Sequence, residues 1–183
     1  MMIDPALIRD YPSLSTASLR LEPLSLEHVA GLCAAHNDAE ARRLTGTHEQ
    51  LTEEQVGERV SARIAAGDRV DWAIVRAEDG EFLGEAMLRR IDLHNESADF
   101  YIALGSSTVF GKGYGSEASK AVIDFSTGVL KLHRVTLEVV DFNTRAQRIY
   151  GKLGFHQEGL LRDAWFWDGE WSDVILMALL SEH

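Results

Sequence analysis

The sequence predicts one α/β domain of the α+β type, built on a mixed central sheet of about seven strands with helices on both faces. Three observations carry that expectation. Seven short stretches are strand-like, several with apolar–polar alternation, whereas four longer ones repeat apolar residues at helical spacing. Their order, β-α-α-β-β-β-α-β-α-β-β, joins some strands by tight turns and others through a helix, which requires a mixed sheet. Finally, 183 residues with 45% apolar and 26% charged side chains suit one ordinary globular core, and no repeat, low-complexity tract or linker divides residues 1–183.

Ser18–Glu22 alternates and predicts the first strand. Ser25 offers an N-cap to a helix over 25–36 with Leu26, Val29, Leu32 and Cys33 on one face. The polar stretch Asn37–Gln50 reads as a connecting loop. Thr52-Glu53-Glu54-Gln55 is a capping box, because the threonine oxygen can accept from the third backbone N–H while the glutamine reaches back. It opens a second helix with Val56, Val60 and Ile64 as its stripe and a stop near Gly67. Val70–Ala77 and Phe82–Ile91 flank Asp79-Gly80, a hairpin turn signal. Ala98–Leu104 supplies another strand, and Gly111-Lys112-Gly113-Tyr114-Gly115 then leads into a helix bearing Ala118, Val122, Phe125 and Val129. Val135, Leu137 and Val139 alternate within a strand over Arg134–Val140. Asn143 caps a helix carrying Ala146, Ile149, Tyr150 and Leu153, and Gly154 stands where a left-handed C-terminal residue is expected. Two closing strands, about 155–166 and 171–180, surround Asp168-Gly169.

The chain carries 18 Lys+Arg against 29 Asp+Glu, and the resulting −11 argues against nucleic acid and anionic membranes as partners. The charge is uneven. Residues 111–152 hold all four lysines (Lys112, Lys120, Lys131, Lys152) with Arg134, Arg145 and Arg148 against four carboxylates, so this window is +3 and the remainder −14. Cys33 is the only cysteine, which leaves no intrachain disulfide, and in a helical pattern it reads as a small buried thiol. The seven histidines show no pair at metal-ligand spacing, so no metal is expected. The first residues lack the basic-then-apolar pattern of a signal peptide, and the longest apolar run, Val174–Leu180, has seven residues against about 20 for a membrane span. A cytoplasmic location is the expectation.

Three alternate glycines between a strand and a helix let the backbone turn sharply and approach a ligand. Free N–H groups and the positive end of the helix dipole then converge on one point, which suits phosphate oxygens, and Lys112 adds a cation. The spacing G-x-G-x-G is neither the dinucleotide fingerprint nor a Walker loop. On these residues alone the loop either binds a phosphate or merely connects strand to helix.

Phe110-Gly111-Lys112-Gly113-Tyr114-Gly115-Ser116-Glu117-Ala118 resembles motif A of the GNAT N-acetyltransferases, and the leading aromatic is closer to their RimJ/RimL-like branch, which acetylates ribosomal-protein N-termini. Asn143-Thr144-Arg145-Ala146 and Tyr150-Gly151-Lys152-Leu153-Gly154-Phe155 resemble motif B. Glu158-Gly159-Leu160-Leu161-Arg162, then Asp168-Gly169, Trp171 and Asp173, also fit that branch, so the likeness spans about residues 18–181 with its acetyl-CoA motifs at about 98–155. The resemblance implies a GNAT domain over 1–183 whose strands before and after the glycine-loop helix splay apart to admit the pantetheine of acetyl-CoA. Tyr101, Ile102, Ala103 and Leu104 would then hydrogen-bond the pantetheine amides. The loop of Phe110, Gly111, Lys112, Gly113, Tyr114, Gly115 and Ser116 would hold the pyrophosphate, with Asn143 and Arg148 as further cofactor contacts.

By the same resemblance the acceptor amine attacks the thioester directly, so the enzyme supplies positioning, which can be worth about 7–11 kcal/mol, and proton transfers. Tyr150 matches the residue that protonates the departing thiolate; from its stripe alone it is a core tyrosine. Asn143 reads as an N-cap, a cofactor contact, or both. Asp99 and Glu85 are rival general bases, although strand alternation would equally let each face solvent. Glu117 favours the helix dipole and reads as local. The implied partners are acetyl-CoA and an amine acceptor, with no metal, nucleic acid or membrane, and a homodimer is one expected assembly. The acceptor groove would lie between Asn37–Leu51 and Asp163–Ser172, where Trp165, Phe166, Trp167 and Trp171 stand among carboxylates that suit a cationic amine. A protein N-terminal α-amine is the leading acceptor; a polyamine, amino acid or aminoglycoside-like amine, or a non-catalytic acyl-CoA sensor, are the alternatives.

Overall fold

Every residue from Val70 to Val75 is buried, because this strand has apolar layers on both of its faces. It is β3 (Val70–Arg76) of the computed structural model, which describes residues 4–181. The other strands are β1 (Leu14–Ser15), β2 (Leu19–Pro23), β4 (Phe82–Asp92), β5 (Ser97–Leu104), β6 (Arg134–Val140), β7 (His156–Trp167) and β8 (Glu170–Leu180). They form one sheet in the order β1-β2-β3-β4-β5-β6-β8-β7. All neighbours are antiparallel except β5 and β6, so the sheet is mixed as expected. The short β1 was not foreseen and makes the eighth strand.

Among the described residues six α-helices flank it: α1 (Ala6–Arg9), α2 (Val29–Asn37), α3 (Ala39–Thr45), α4 (Glu53–Ala65), α5 (Tyr114–Gly128) and α6 (Thr144–Lys152). On one face, α5 and α6 cover a core around Trp72, Phe100, Phe125, Val135 and Leu137. Trp72 is fully buried, with Tyr11 and Phe125 meeting its ring edge-on at 5.2 and 5.3 Å, contacts worth about 0.5–1.5 kcal/mol each beyond area burial. On the other face, α2 and α4 close a smaller core of Leu24, Leu32, Leu51, Val56, Val60 and Ala73. The Thr52 capping box is formed in full.

Several expectations need correction. The stretch Asn37–Gln50 contains α3: Asp38 caps it by accepting from the Ala41 N–H at 2.9 Å, and Gly46 ends it at φ 67°. Its apolar stripe is too short to show in periodicity, but both cap residues stand in the sequence. Ser25 caps a short 3-10 turn at Leu26–His28, and α2 begins only after it. Leu26, Ile64 and Val129, expected on buried stripes, are 58%, 54% and 48% exposed; all three sit at helix ends, where the stripe has left the sheet. Cys33 is half-buried, its thiol donating to the Leu51 carbonyl.

The one parallel pairing positions the site. β5 and β6 are in register only over Ser97–Asp99 and Arg134–Thr136, although β5 runs on to Leu104 and β6 to Val140. Beyond that point the two strands part, which is the expected splay.

Candidate active site

The gap between the parted strands is a cavity of about 290 Å³ that reaches both faces of the sheet. From the helical side it is lined by Gly115 and Ser119 of α5 and by Asn143, Ala146, Ile149 and Tyr150 at α6. From the other side it is lined by Leu44 and Thr45 of α3 with Arg89, Tyr101, Glu138 and Trp165. Strand alternation explains the division, because Tyr101 and Glu138 point away from the face that buries Phe100 and Leu137. Ile102, Ala103 and Leu104 complete the β5 wall.

The glycine loop lies at one end. Gly111 and Gly113 have φ of 76° and 90°, and an added Cβ would meet nothing within 4 Å, so left-handed backbone and not space demands glycine there. Gly113 caps α5 without any side-chain bond, and the first helical hydrogen bond runs from the Glu117 N–H to the Gly113 carbonyl at 3.0 Å. The preceding N–H groups, on residues 114–116, are therefore available to an anion. Lys112 and Ser116 are exposed beside them, and Tyr114 is half-buried. Phe110 lines the cavity, with the Arg145 guanidinium 5.4 Å from its ring centroid. Arg148 is exposed on α6 outside the cavity; Arg145, not singled out before, is the α6 cation that lines it. Glu117 accepts from the Ser18 backbone and hydroxyl at 2.8 and 2.6 Å, so beyond favouring the helix dipole it ties the residue before β2 to the first turn of α5.

Asn143 both caps α6, accepting from the Ala146 N–H at 3.2 Å, and lines the cavity. Ser119 lines it too, and its buried Oγ has no hydrogen-bond partner, a group that an amide-bearing ligand would satisfy. Tyr150 is buried at 8% exposure between Phe100 and Phe155, whose ring centroids lie 6.2 and 6.0 Å away. Burial pushes its phenol up to about 12, so it holds its proton at neutral pH. Burial also raises the Tyr101 phenol well above its ordinary value.

The two candidate bases are placed differently. Asp99 accepts from the Thr136 hydroxyl at 2.6 Å and pairs with Arg90, at the joined end of β5 and β6 and outside the cavity. Glu85 is 5% exposed and paired with Arg63 at 2.7 Å. It lines a second small cavity of about 20 Å³ with His36 and Tyr101, and that cavity shares Thr45, Tyr101 and Ala103 with the large one. The volume is enough for one water. Burial lowers the His36 pKa, which leaves a neutral imidazole facing Glu85.

The family model of the acetyltransferase (GNAT) domain matches residues 18–156. The chain belongs to the GNAT acetyltransferase family. It is 29% identical over 174 residues to the spermidine N(1)-acetyltransferase of Escherichia coli K12, covering 92% of each chain. It is 35% identical to the [ribosomal protein uS5]-alanine N-acetyltransferase of the same organism, but over 69 residues only, 38% of this chain and 36% of that one. The ribosomal branch is therefore the shorter match. The crystal structure of the spermidine N-acetyltransferase from Vibrio cholerae, in complex with CoA and spermine, superposes with a TM-score of 0.83 at 23% identity, over 90% of this chain and 96% of that one.

As a GNAT enzyme the protein is an acetyl-CoA-dependent N-acetyltransferase, with acetyl-CoA as the donor substrate. Among the described residues no group of three or more His, Cys, Asp or Glu could hold a metal ion, and no helix is long and apolar enough to cross a membrane.

Proposed function

We propose that this GNAT enzyme acetylates the α-amine of a peptide or protein N-terminus, the RimJ/RimL-like reaction. The observation that carries the acceptor class is the wall on the α3 side of the cavity. Among the described residues Glu138 is the one carboxylate lining it; Asp163, Asp168, Glu170 and Asp173 lie outside, and Glu85 is already paired with Arg63. One free carboxylate suits one ammonium and not a polycation.

In this reading the loop N–H groups of residues 111–116 hold the pyrophosphate, with Lys112 nearby, and the β5 backbone of residues 101–104 aligns the pantetheine. The amine attacks the thioester carbonyl, the C–S bond breaks, and Tyr150 gives its proton to the leaving thiolate. Glu85 takes the ammonium proton through a water in the small cavity, since it adjoins the reaction space and Asp99 does not. Arg148 serves only at the outer, solvated end of the donor.

The second reading is a small amine of the polyamine type, favoured by the full-length likeness to a spermidine N(1)-acetyltransferase. Thiol release from acetyl-CoA with N-terminal peptides and with spermidine decides between them. Peptide turnover at least tenfold above spermidine supports the proposal, spermidine turnover alone replaces it, and donor binding without turnover on either favours the sensor. A homodimer belongs to the same proposal, supported by the exposed Phe166 and Trp171 rings, 4.8 Å apart on the β7–β8 hairpin, and tested by sedimentation equilibrium.

A further inference from the structure

We propose that Arg89 and Trp165 form an oxygen clamp that selects acceptors carrying a carbonyl or carboxylate beside the reacting amine. This rests on the α-amine reading and sharpens it.

Arg89 stands on β4, and its guanidinium lies 5.5 Å from the Tyr101 ring centroid. Among the described residues it forms no ion pair, and its Nε is buried without a hydrogen-bond partner. Trp165 stands on β7, and its indole Nε1 is likewise buried and unpartnered. The two residues come from separate elements yet line the same cavity, each with its unpartnered donor just beneath the surface. A buried donor left unsatisfied costs about 1–3 kcal/mol, so a folded chain rarely keeps two of them in one place without a use.

The place also says which ligand they await. Both lie on the face of α3, Tyr101 and Glu138, opposite the helices α5 and α6 that flank the donor side. The unpartnered Ser119 stands on the helical side of the cavity, and Arg89 and Trp165 stand on its α3 side, where this reading places the acceptor. Glu138 supplies the opposite charge on the same wall. The wall thus offers one carboxylate to an ammonium and two N–H donors to an oxygen. An α-amine with a carbonyl on its adjacent carbon satisfies both. A polyamine brings only N–H donors and positive charge, leaving both buried groups unmet and a second cation near a guanidinium.

The test compares four acceptors: an N-terminal peptide, the same peptide with its first carbonyl reduced to methylene, a free amino acid, and spermidine. Arg89→Met and Trp165→Phe keep the apolar bulk and remove the donors. Each is expected to lower kcat/KM for the peptide about 10- to 100-fold, mostly through KM, with the KM for acetyl-CoA unchanged and the preference over spermidine reduced. The reduced peptide should lose a similar factor on the wild-type enzyme and little on the variants. Equal turnover of peptide and amino acid marks the shared carbonyl as the ligand; a faster amino acid marks the carboxylate. On the wild-type protein, the Trp165 indole N–H resonance should shift on adding the peptide and stay in place with spermidine, a readout that needs no variant to fold. Wild-type turnover of peptides with an unchanged preference in both variants and no indole shift overturns the clamp alone. Wild-type turnover of spermidine and no peptide overturns the α-amine reading itself.

Discussion

Gly46 lies directly against Trp165: a Cβ added at Gly46 would stand 2.5 Å from the far edge of the indole. The same glycine ends α3 in left-handed backbone at φ 67°. One residue therefore both stops the helix and seats the β7–β8 hairpin on it. Around that contact the His48 and Trp167 rings stack at 5.1 Å, and the Arg42 guanidinium lies 5.9 Å from the Trp167 ring. Through Trp165 this junction borders the α3 side of the cavity.

Gly46→Ala should disturb the acceptor without disturbing the donor. The left-handed φ costs an alanine about 1 kcal/mol, and the methyl must push the indole out of its seat. Steady-state kinetics should show the acceptor KM rising about tenfold or more while the KM for acetyl-CoA holds. An unchanged acceptor KM would show that Trp165 does not border the acceptor.

Tyr150→Phe should lower kcat about 100-fold or more with little change in KM for acetyl-CoA, since it removes a proton donor and keeps the ring. Stability gives an independent check. The folded phenol titrates near 12 and the unfolded one near 10, so the wild type loses stability as pH rises through that interval, because only the unfolded chain ionises there. Denaturant titrations at pH 9 and pH 11.5 should show a fall in the wild type that is smaller in the variant by about 2 kcal/mol.

Much of this was legible in the chain, and what was hidden was hidden for physical reasons. Alternation and caps announced β2 to β8, α4, α5 and α6, because each buries one face or carries its own terminal signals. α3 escaped because seven residues with two cavity-facing apolar groups make no period, though Asp38 and Gly46 bracket it. The glycine loop, Asn143 and Tyr150 stand out in the chain because local backbone chemistry and a contiguous motif mark them. Arg89, Glu138 and Ser119 do not stand out, because only the fold brings β4, β6 and α5 around one cavity and nothing local distinguishes such a side chain from a solvated one. The Arg90 pairing of Asp99 was hidden in the same way: Arg90 has φ 52°, in the irregular end of β4, and that kink directs it to the neighbouring strand.

Gly84→Ala should be among the costliest glycine substitutions. Its φ of 153° is open to glycine alone, and a Cβ there would stand 2.2 Å from the Ala103 carbonyl oxygen, on the β5 wall of the cavity. Backbone must move to relieve that contact, so a loss of about 2–4 kcal/mol is expected, read as a lower Tm by calorimetry, with a raised KM for acetyl-CoA. Gly80→Ala is the control. Its φ is 78° with nothing within 4 Å of a Cβ, so it should cost only about 1 kcal/mol and leave the KM unchanged.

Arg63→Met tests Glu85 as the base. Asp71 and Glu85 are 3% and 5% exposed, and Arg63 bridges them at 2.5 and 2.7 Å. Burial alone would lower the Arg63 pKa, but the two carboxylates outweigh it and raise it, so the guanidinium is charged at every working pH. Removing it leaves Asp71 its bond to Arg69 at 2.6 Å and leaves Glu85 without its cation. An uncompensated buried carboxylate costs about 3–5 kcal/mol. That cost falls on the ionised form, so the deficit should grow from pH 4.5 to pH 7.5 in denaturant titrations. If Glu85 receives the ammonium proton, the acid limb of kcat/KM must move to higher pH in the variant, because more alkaline solution is needed to empty the base. A folded Arg63→Met protein whose acid limb coincides with that of the wild type would remove Glu85 from the reaction.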